Sequence, residues 1–249
     1  MTTIRPGMTT TDRIQQGISV FFPAYNDEKT IGTLVSQALN LLPSLTDNYE
    51  VIVINDGSAD ATQRVLEDLA RKSKYLKLIK HEQNLGYGMA LRSGFSHTTK
   101  ELIFYTDGDG QYDVREIPKL LRLMTDDCQV VNGYKIARSD AVYRKIAGGI
   151  YNRVAHLLFD LPIRDVDCDF RLIKRSAISS IELTSSSGTI CVELIYKLRR
   201  NGCAFAETPI YHYPRRHGHS QFFTIRRVAQ TARELGLMWL RLVALRRAR

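Results

Sequence analysis

The chain has little cysteine, no secretory leader pattern and no apolar run long enough to cross a membrane. Its four cysteines form neither a CxxC pair nor a metal-like spacing, so they are predicted to be reduced thiols of a cytosolic protein. Residues 1–16 lack the apolar core of a signal peptide, and we expect residues 1–17 to be a mobile tail. The apolar stretch 235–245 has only eleven residues, fewer than a spanning helix needs.

Acidic residues are scarce in the C-terminal part of the sequence. Residues 215–249 contain nine arginines and one acid, Glu234, and so carry +8 of the chain's net charge of +9. A uniformly basic surface would favour nucleic acid, whereas one basic segment favours a local role, such as contact with an anionic membrane. A catalytically weak membrane- or nucleic-acid-binding protein is one hypothesis. We expect no nucleic-acid partner, because that hypothesis leaves the acidic motifs described below unexplained.

Strand-like and helix-like segments alternate over the first half of the chain. The predicted strands are 18–23, 50–55, 76–80, 102–106 and 130–133, and the helices between them are 30–42, 60–71, 89–95 and 117–124. This alternation predicts an α/β fold with a mostly parallel, Rossmann-like sheet flanked by helices. Helices at 143–159 and 192–199 and a short strand at 208–211 follow. No linker interrupts residues 18–223, which are predicted to form one domain.

The fourth predicted strand stops at two carboxylates, Asp107 and Asp109, which are separated by Gly108. The carboxyl ends of parallel strands form the edge at which α/β sheets bind ligands. Two hard oxygen ligands at that edge suit a divalent cation that also binds substrate phosphates. The alternative is a strand that runs into an acidic turn, since Asp-Gly is common in turns. Polar residues also end the first two strands, at 23–28 and 55–58, which favours a nucleotide cleft.

Six short motifs occur in order between residues 18 and 220. They are P-A-Y-N-D-E at 23–28, N-D-G-S-A-D at 55–60, Asn84, Gly86, Ala90 and Gly94 in an N-x-G-x-x-x-A-x-x-x-G pattern, D-G-D-G-Q at 107–111, D-x-x-x-x-F-R at 165–171, and R-x-x-G-x-S at 215–220. An ordered set of motifs is far more specific than any one of them. Together they make the chain resemble the family 2 glycosyltransferases, specifically the branch of dolichol- or polyprenol-phosphate sugar synthases.

The resemblance implies a GT-A fold that binds a nucleoside-diphosphate sugar, such as a GDP- or UDP-hexose, and one divalent metal ion, Mg²⁺ or Mn²⁺. It implies that Glu28 and Asp56 hydrogen-bond to the base and the ribose. The implied nucleotide-sugar contacts are Pro23, Ala24, Tyr25, Glu28, Asp56, Gly86, Ala90, Asp107, Gly108 and Asp109. The implied metal ligands are Asp107, Asp109 and Gln111. From the residues alone, Asp56-Gly57 also fits a simple turn, and residues 84–94 also fit the entry to a helix.

The resemblance further implies transfer of a hexose, with inversion, to a polyprenyl phosphate at the cytosolic membrane face. A phosphate oxygen is already a nucleophile near neutral pH, so this reaction needs cations rather than a strong base. The predicted acceptor-phosphate contacts are Lys135, Arg144, Arg171, Arg215 and Ser220, with Arg216 as a further cation. The predicted catalytic residues are Asp107, Asp109, Arg171 and Arg215. A soluble or hydroxyl acceptor would instead require a base, for which Asp165, Asp167 or Asp169 would serve.

Residues 224–249 are predicted to form a basic amphipathic helix. Apolar residues recur at gaps of three and four between residues 225 and 243, and arginines mark the polar face. Such a helix fits an anionic membrane interface, but its apolar stripe would equally pack on the domain. The sequence therefore predicts a peripheral protein of the cytosolic membrane face, held by this helix or by a membrane-protein partner, and leaves a homodimer open.

Overall fold

A computed structural model describes residues 13–136, 142–215 and 225–245, with the backbone alone for residues 142–145 and 225–226. Residues 1–12 of the predicted tail lie outside the described residues. The N–H of Ile14 donates to the carbonyl of Leu45 at 2.8 Å, and the N–H of Gly17 donates to the Glu101 carboxylate at 2.8 Å. Residues 13–17 therefore belong to the folded domain, which corrects the boundary predicted at residue 17.

The centre of the molecule is a seven-stranded sheet. Its strands are β1 (Ile18–Ala24), β2 (Tyr49–Asn55), β3 (Leu76–Lys80), β4 (Leu102–Thr106), β5 (Val130–Ile136), β6 (Phe170–Lys174) and β7 (Phe205–Tyr211). Their order across the sheet is β3-β2-β1-β4-β6-β5-β7. Strand β6 is antiparallel to both of its neighbours, whereas the other described pairs are parallel. The mostly parallel, Rossmann-like sheet predicted from the sequence is thus confirmed.

Strand β6 is the one strand of the sheet that the sequence does not predict. It pairs Arg171 with Tyr105 and Phe170 with Thr106, so it begins where β4 ends. An antiparallel neighbour brings its first residues to the edge at which parallel strands finish. Residues 165–169, which precede β6, therefore lie beside the carboxylates that follow β4.

Eight helices are described around the sheet. They are α1 (Ile31–Leu45), α2 (Thr62–Ala70), α3 (Tyr87–His97), α4 (Ile117–Leu121), α5 (Val142–Phe159), α6 (Arg175–Ser179), α7 (Ile190–Arg200) and α8 (Ile225–Trp239), with a 3-10 turn at Val114–Glu116 and a π-helical turn at Leu240–Ala244. Alternate residues of β1 point to opposite sides: Phe22 packs among α1 and α4, and Phe21 packs among α3 and α7. Both faces of the sheet are thus buried, which is why its strands read as continuous apolar runs. Among the described helices, none is both long and apolar enough to span a bilayer.

Helix α8, taken from here on together with the π-helical turn at 240–244 that continues it, packs against α5 and α7. Its residues Leu235, Met238 and Leu242 are buried in a third apolar cluster with Phe159 of α5 and Ile195 of α7. The sequence left open whether the apolar stripe of this helix contacts a membrane or packs on the domain. The structure shows that Leu235, Met238 and Leu242 pack on the domain.

Glu50 fixes the edge of the sheet at which the strands begin. Its carboxylate is buried and accepts hydrogen bonds from the Ser19 hydroxyl at 2.6 Å, the Lys77 ammonium at 2.6 Å and the Thr99 N–H at 2.7 Å. Burial alone would raise the pKa of Glu50, but these hydrogen bonds outweigh it and lower the pKa to about 2. One side chain therefore joins β1, β2, β3 and the segment before β4.

We expect Glu50→Gln to lower the free energy of unfolding at neutral pH by about 2 to 3 kcal/mol, because it removes charge-assisted hydrogen bonds. The pKa of Glu50 is lower in the folded protein, so the stabilisation is present above the unfolded value of 4.5 and disappears as the pH falls towards about 2. Urea unfolding at several pH values measures this. The exposed Glu67→Gln is the matched control, and an equal loss in both variants at neutral pH would contradict the assignment.

Candidate active site

The loops that follow β1 and β4 touch at Gly108. Its N–H donates to the carbonyl of Pro23 at 3.1 Å, and the Thr30 hydroxyl donates to the carbonyl of Gly108 at 2.9 Å. A Cβ built on Gly108 would lie 2.8 Å from the Pro23 oxygen, closer than Cβ atoms come to other atoms. A residue without a side chain is therefore required between Asp107 and Asp109, and the contact places both carboxylates beside the end of β1.

The loops after β1 and β2 are also joined to each other. Ala24 accepts the N–H of Asp56 at 2.9 Å, and Glu28 accepts the N–H of Ala61 at 2.9 Å just before α2 begins. Glu28 uses one carboxylate oxygen in this bond and keeps further acceptor capacity. Tyr25 lies at the exposed tip between them. The residues predicted to contact the nucleotide at 23–28 thus form one edge of the site.

Asp56 is buried between the loops after β2 and β3. Its Oδ1 accepts the N–H of Leu85 at 2.9 Å and lies 2.6 Å from Nδ1 of His81, while its Oδ2 accepts the N–H of Gly86 at 3.0 Å. The other ring nitrogen of His81 lies 2.8 Å from the Ser93 hydroxyl. A carboxylate offers about four lone-pair positions, so within the described residues Oδ2 can accept one further donor.

Asp107 and Asp109 contact different partners. Asp107 accepts the hydroxyl of Tyr87 at 2.7 Å, and Asp109 pairs with the guanidinium of Arg215. Nε of Arg215 also donates to the amide oxygen of Gln111 at 3.4 Å. Asp109 and Gln111 therefore face one cation, in the region where the sequence predicts a metal ion.

Negative charge is concentrated at this edge of the sheet. Burial raises the pKa of Asp107 well above its usual range, and the nearby carboxylates of Asp169 and Asp109 raise it further. Burial likewise raises the pKa of Asp27 to about 6, with Asp109 again contributing. A cation bound at Asp107 and Asp109 would reduce this repulsion.

The predicted metal ligands form a mixed donor set. Within residues 13–136, 142–215 and 225–245, no three His, Cys, Asp or Glu side chains are grouped so as to hold a metal ion. Asp107, Asp109 and Gln111 instead provide two carboxylates and one amide oxygen. This set fits a hard divalent cation that takes its remaining ligands from substrate phosphates and water.

Lys135 brings a second positive charge near these carboxylates. Its ammonium group donates to the carbonyl of Asp167 at 2.6 Å and lies 3.9 Å from the Asp165 carboxylate. The same ammonium opposes the rise in the pKa of Asp107. Lys135 and Arg215 are therefore two cations near the carboxylates that follow β4.

Arg171 does not face the site. It is fully buried, and its guanidinium donates to Asn132 at 2.5 Å, to Asp169 at 3.0 Å, to the Tyr105 hydroxyl and to the carbonyl of Val166. Its place in β6 directs the side chain into the interior, where these acceptors use its donors. This burial contradicts the direct phosphate contact predicted for Arg171. The arginine instead holds Asp169 in place.

Ala90 also differs from its predicted role. It lies on the face of α3 that packs against the sheet, in an apolar cluster with Leu91 and Phe95, and is buried. This burial contradicts the predicted nucleotide contact. Gly86, four residues earlier, lies at the site edge with a φ of 96°, a backbone conformation that favours glycine.

Two predicted acceptor contacts are not described. Ser220 lies outside the described residues, together with Arg216. The backbone of Arg144 is part of α5, but its side chain is outside the description.

Three residues at the site were not predicted: Asp27, His81 and Tyr87. His81 directly follows β3. The signal used for the other loops, a polar residue immediately after a strand, would therefore have identified it. Tyr87 follows Gly86 at the start of α3, and Asp27 lies inside the motif at 23–28. These side chains matter because of their contacts with residues of other loops, such as His81 with Asp56 and Tyr87 with Asp107, and the sequence alone does not reveal those contacts.

We expect Asp27→Asn to stabilise the metal-free protein at pH 7.5 by about 1 to 2 kcal/mol, because it removes a carboxylate that is costly to ionise. The folded pKa of about 6 exceeds the unfolded 3.8, so the stability contributed by Asp27 is present below 3.8 and is lost as the pH rises through about 6. The gain from Asn should therefore be absent at pH 3.5. Thermal unfolding across this range measures it, and a gain independent of pH would rule out the explanation.

Comparison with known sequences identifies relatives of the chain. The model of the family described as Glycosyl transferase family 2 matches residues 19–181, more than half of the chain. The undecaprenyl-phosphate 4-deoxy-4-formamido-L-arabinose transferase of Klebsiella pneumoniae (strain 342) is 28% identical over 210 residues, which cover 84% of this chain and 63% of that protein. The chain thus spans less than two thirds of the length of this relative, which belongs to the polyprenol-phosphate branch named above.

Solved structures show the same fold. Glucosyl-3-phosphoglycerate synthase from Mycobacterium tuberculosis, in complex with Mn²⁺, UDP and phosphoglyceric acid, has a TM-score of 0.68 at 20% identity, covering 90% of this chain and 78% of that one. The same enzyme with Mg²⁺ and UDP gives 0.66 at 18% identity, with coverage of 90% and 78%. The predicted GT-A fold is confirmed. Because the family model matches more than half of its residues, the chain belongs to the family 2 glycosyltransferases.

Proposed function

We propose that the protein is an inverting, metal-dependent transferase that moves a hexose from a nucleoside-diphosphate sugar to a polyprenyl phosphate at the cytosolic membrane face. One observation carries the proposal: Asp109, two residues after Asp107 at the carboxyl end of β4, pairs with the guanidinium of Arg215. This arrangement combines ligands for a metal–diphosphate with a cation for a second anion. The acceptor named for the Klebsiella relative supports the choice of lipid phosphate.

The donor side uses residues from the three loops that follow β1, β2 and β4. Asp56 would accept an N–H of the base at its remaining Oδ2 position, and Glu28 would accept a ribose hydroxyl. A divalent cation held by Asp107, Asp109 and Gln111 would, when bound, stabilise the charge on the departing diphosphate.

The acceptor side needs positive charge more than it needs a base. Two anions about 4 Å apart repel by about 4 kcal/mol at an effective dielectric near 20. Arg215, which pairs with Asp109, and Lys135, which lies near Asp165, would offset this repulsion. Attack by the phosphate oxygen on the anomeric carbon, opposite the leaving diphosphate, inverts the configuration at that carbon.

A transferase with a soluble acceptor is the second proposal. Asp169 lies close enough to Asp107 to raise its pKa, and a carboxylate there could act as the base for a hydroxyl acceptor. The M. tuberculosis enzyme has been crystallised with phosphoglyceric acid, a soluble phosphate-bearing molecule. Extraction of the labelled sugar into organic solvent would support the lipid acceptor, and retention in water would support the soluble one.

We expect Asp109→Asn to reduce sugar transfer about a hundredfold or more, because it removes one charge from the metal site while leaving the core intact. Nucleotide-dependent stabilisation by Mn²⁺, measured as a thermal shift, should fall with it. The exposed Asp127→Asn carries the same change of charge and serves as the control. If Asp109→Asn retained the full Mn²⁺-dependent shift, the metal assignment would be wrong.

We expect Arg215→Ala to depress transfer to a polyprenyl phosphate at least tenfold more than it weakens nucleotide-sugar binding, because its cation faces the second anion. Calorimetry gives the donor affinity, and a radiolabelled product assay gives the transfer rate. The exposed Arg122→Ala should change neither quantity. Equal losses in both measurements, or a preference of the wild type for a neutral alcohol, would contradict the acceptor assignment.

A further inference from the structure

Helix α5 has an apolar outer face that the fold leaves exposed. Ile146, Ile150, Val154 and Leu157 are 58%, 61%, 40% and 84% exposed. Their spacing of four, four and three residues places them on one side of the helix. Single exposed apolar side chains are ordinary, but a continuous line of them marks a surface that contacts something apolar. We call these four residues the α5 stripe.

The same helix supports the loop that borders the active site. The side chain of Asn152 donates to the carbonyl of Arg164 at 2.7 Å and accepts the N–H of Val166 at 3.0 Å. Val166 in turn accepts a hydrogen bond from Arg171, which holds Asp169 beside Asp107. A partner surface that binds the α5 stripe would therefore contact the same helix that holds the loop on the acceptor side of the site.

Positive charge accompanies the α5 stripe. Arg153 is exposed on α5, and α8, which packs on α5, exposes Arg227, Arg233 and Arg241. An apolar stripe together with arginines matches an anionic bilayer, whose headgroups attract the arginines while its interface receives the apolar side chains. A second copy of the chain would bring its own arginines against these and so fits less well.

Most of the apolar stripe of α8 is buried against the domain. Leu235, Met238 and Leu242 are buried against the domain, so the predicted membrane helix has given up much of its apolar surface to the core. Leu237 and Leu240 remain about half exposed on α8, and they provide a natural comparison with the α5 stripe.

We propose that α5, rather than α8, docks the protein on an anionic bilayer, with the α5 stripe in the interface and the neighbouring arginines at the headgroups. The proposal deepens the proposed function, since a lipid-phosphate acceptor gives the docking its purpose. Docking through α5 would bring the helix that holds the loop at 164–169 to the membrane, where the phosphate of a polyprenyl acceptor lies.

Vesicle co-sedimentation of the full chain tests the proposal. The double variant Ile150→Gln, Leu157→Gln should lower the partition coefficient for vesicles with roughly 30% phosphatidylglycerol in phosphatidylcholine by about tenfold or more. Its thermal midpoint should stay unchanged, because both side chains are exposed. The matched control, Leu237→Gln with Leu240→Gln on α8, should lower partitioning less than threefold. Vesicles of phosphatidylcholine alone should bind the wild type more weakly.

Three results would overturn the proposal. They are unchanged partitioning of the α5 variant, a larger loss in the α8 variant, and light scattering that shows a dimer for the wild type but a monomer for the α5 variant.

Transfer to a short, water-soluble prenyl phosphate without vesicles separates the failure of the docking from the failure of the proposed function. If the wild type fails in that assay while the α5 variant loses vesicle binding, the proposed function fails and the docking stands. If transfer succeeds and the α5 variant still binds vesicles fully, the docking fails alone.

Discussion

The crowding of carboxylates at one edge of the sheet is the constraint around which the site is arranged. Burial and mutual repulsion raise the pKa of Asp107 and Asp27 there. At the opposite edge Glu50 is buried too, but matched donors surround it and lower its pKa to about 2. The two edges of one sheet thus differ in purpose. At the amino edge the buried carboxylate is matched by donors within the protein, whereas at the carboxyl edge the carboxylates repel one another.

The elements that sequence predicts best are those whose burial leaves a clear periodicity. The sequence predicts strand β4 over the residues it occupies, and β1 and β2 to within one residue at each end, because these central strands are almost uniformly apolar. The sequence does not predict strand β6, although its residues F-R-L-I-K match the L-K-L-I-K of β3 in length and charge. Its insertion between β4 and β5 is decided by tertiary pairing, and no local signal encodes it.

In the site too, sequence motifs identify some residues, whereas the tertiary structure decides which side chains come into contact. Asp107, Asp109, Gln111 and Arg215 could be grouped from motifs, and the structure places the last three in contact. Motifs give the residue types at a site but not the orientation of their side chains. Arg171 therefore read as a surface cation although its strand turns it inwards, and Ala90 read as a contact although its helix turns it to the core. His81 and Tyr87 gain their roles only when loops far apart in sequence meet.

The placement of β6 also bears on how related chains can diverge. Residues between β5 and β6 form an excursion that contains α5 and returns to the sheet beside β4. Insertions or deletions in this excursion need not alter the loops after β1, β2 and β4 that we propose as the donor side. Within β6 itself, a shift of one residue would exchange the two faces and place Leu172 where Arg171 meets its acceptors. Changes in acceptor preference are therefore expected to accumulate as differences in length before β6, while the strand itself stays invariant in register.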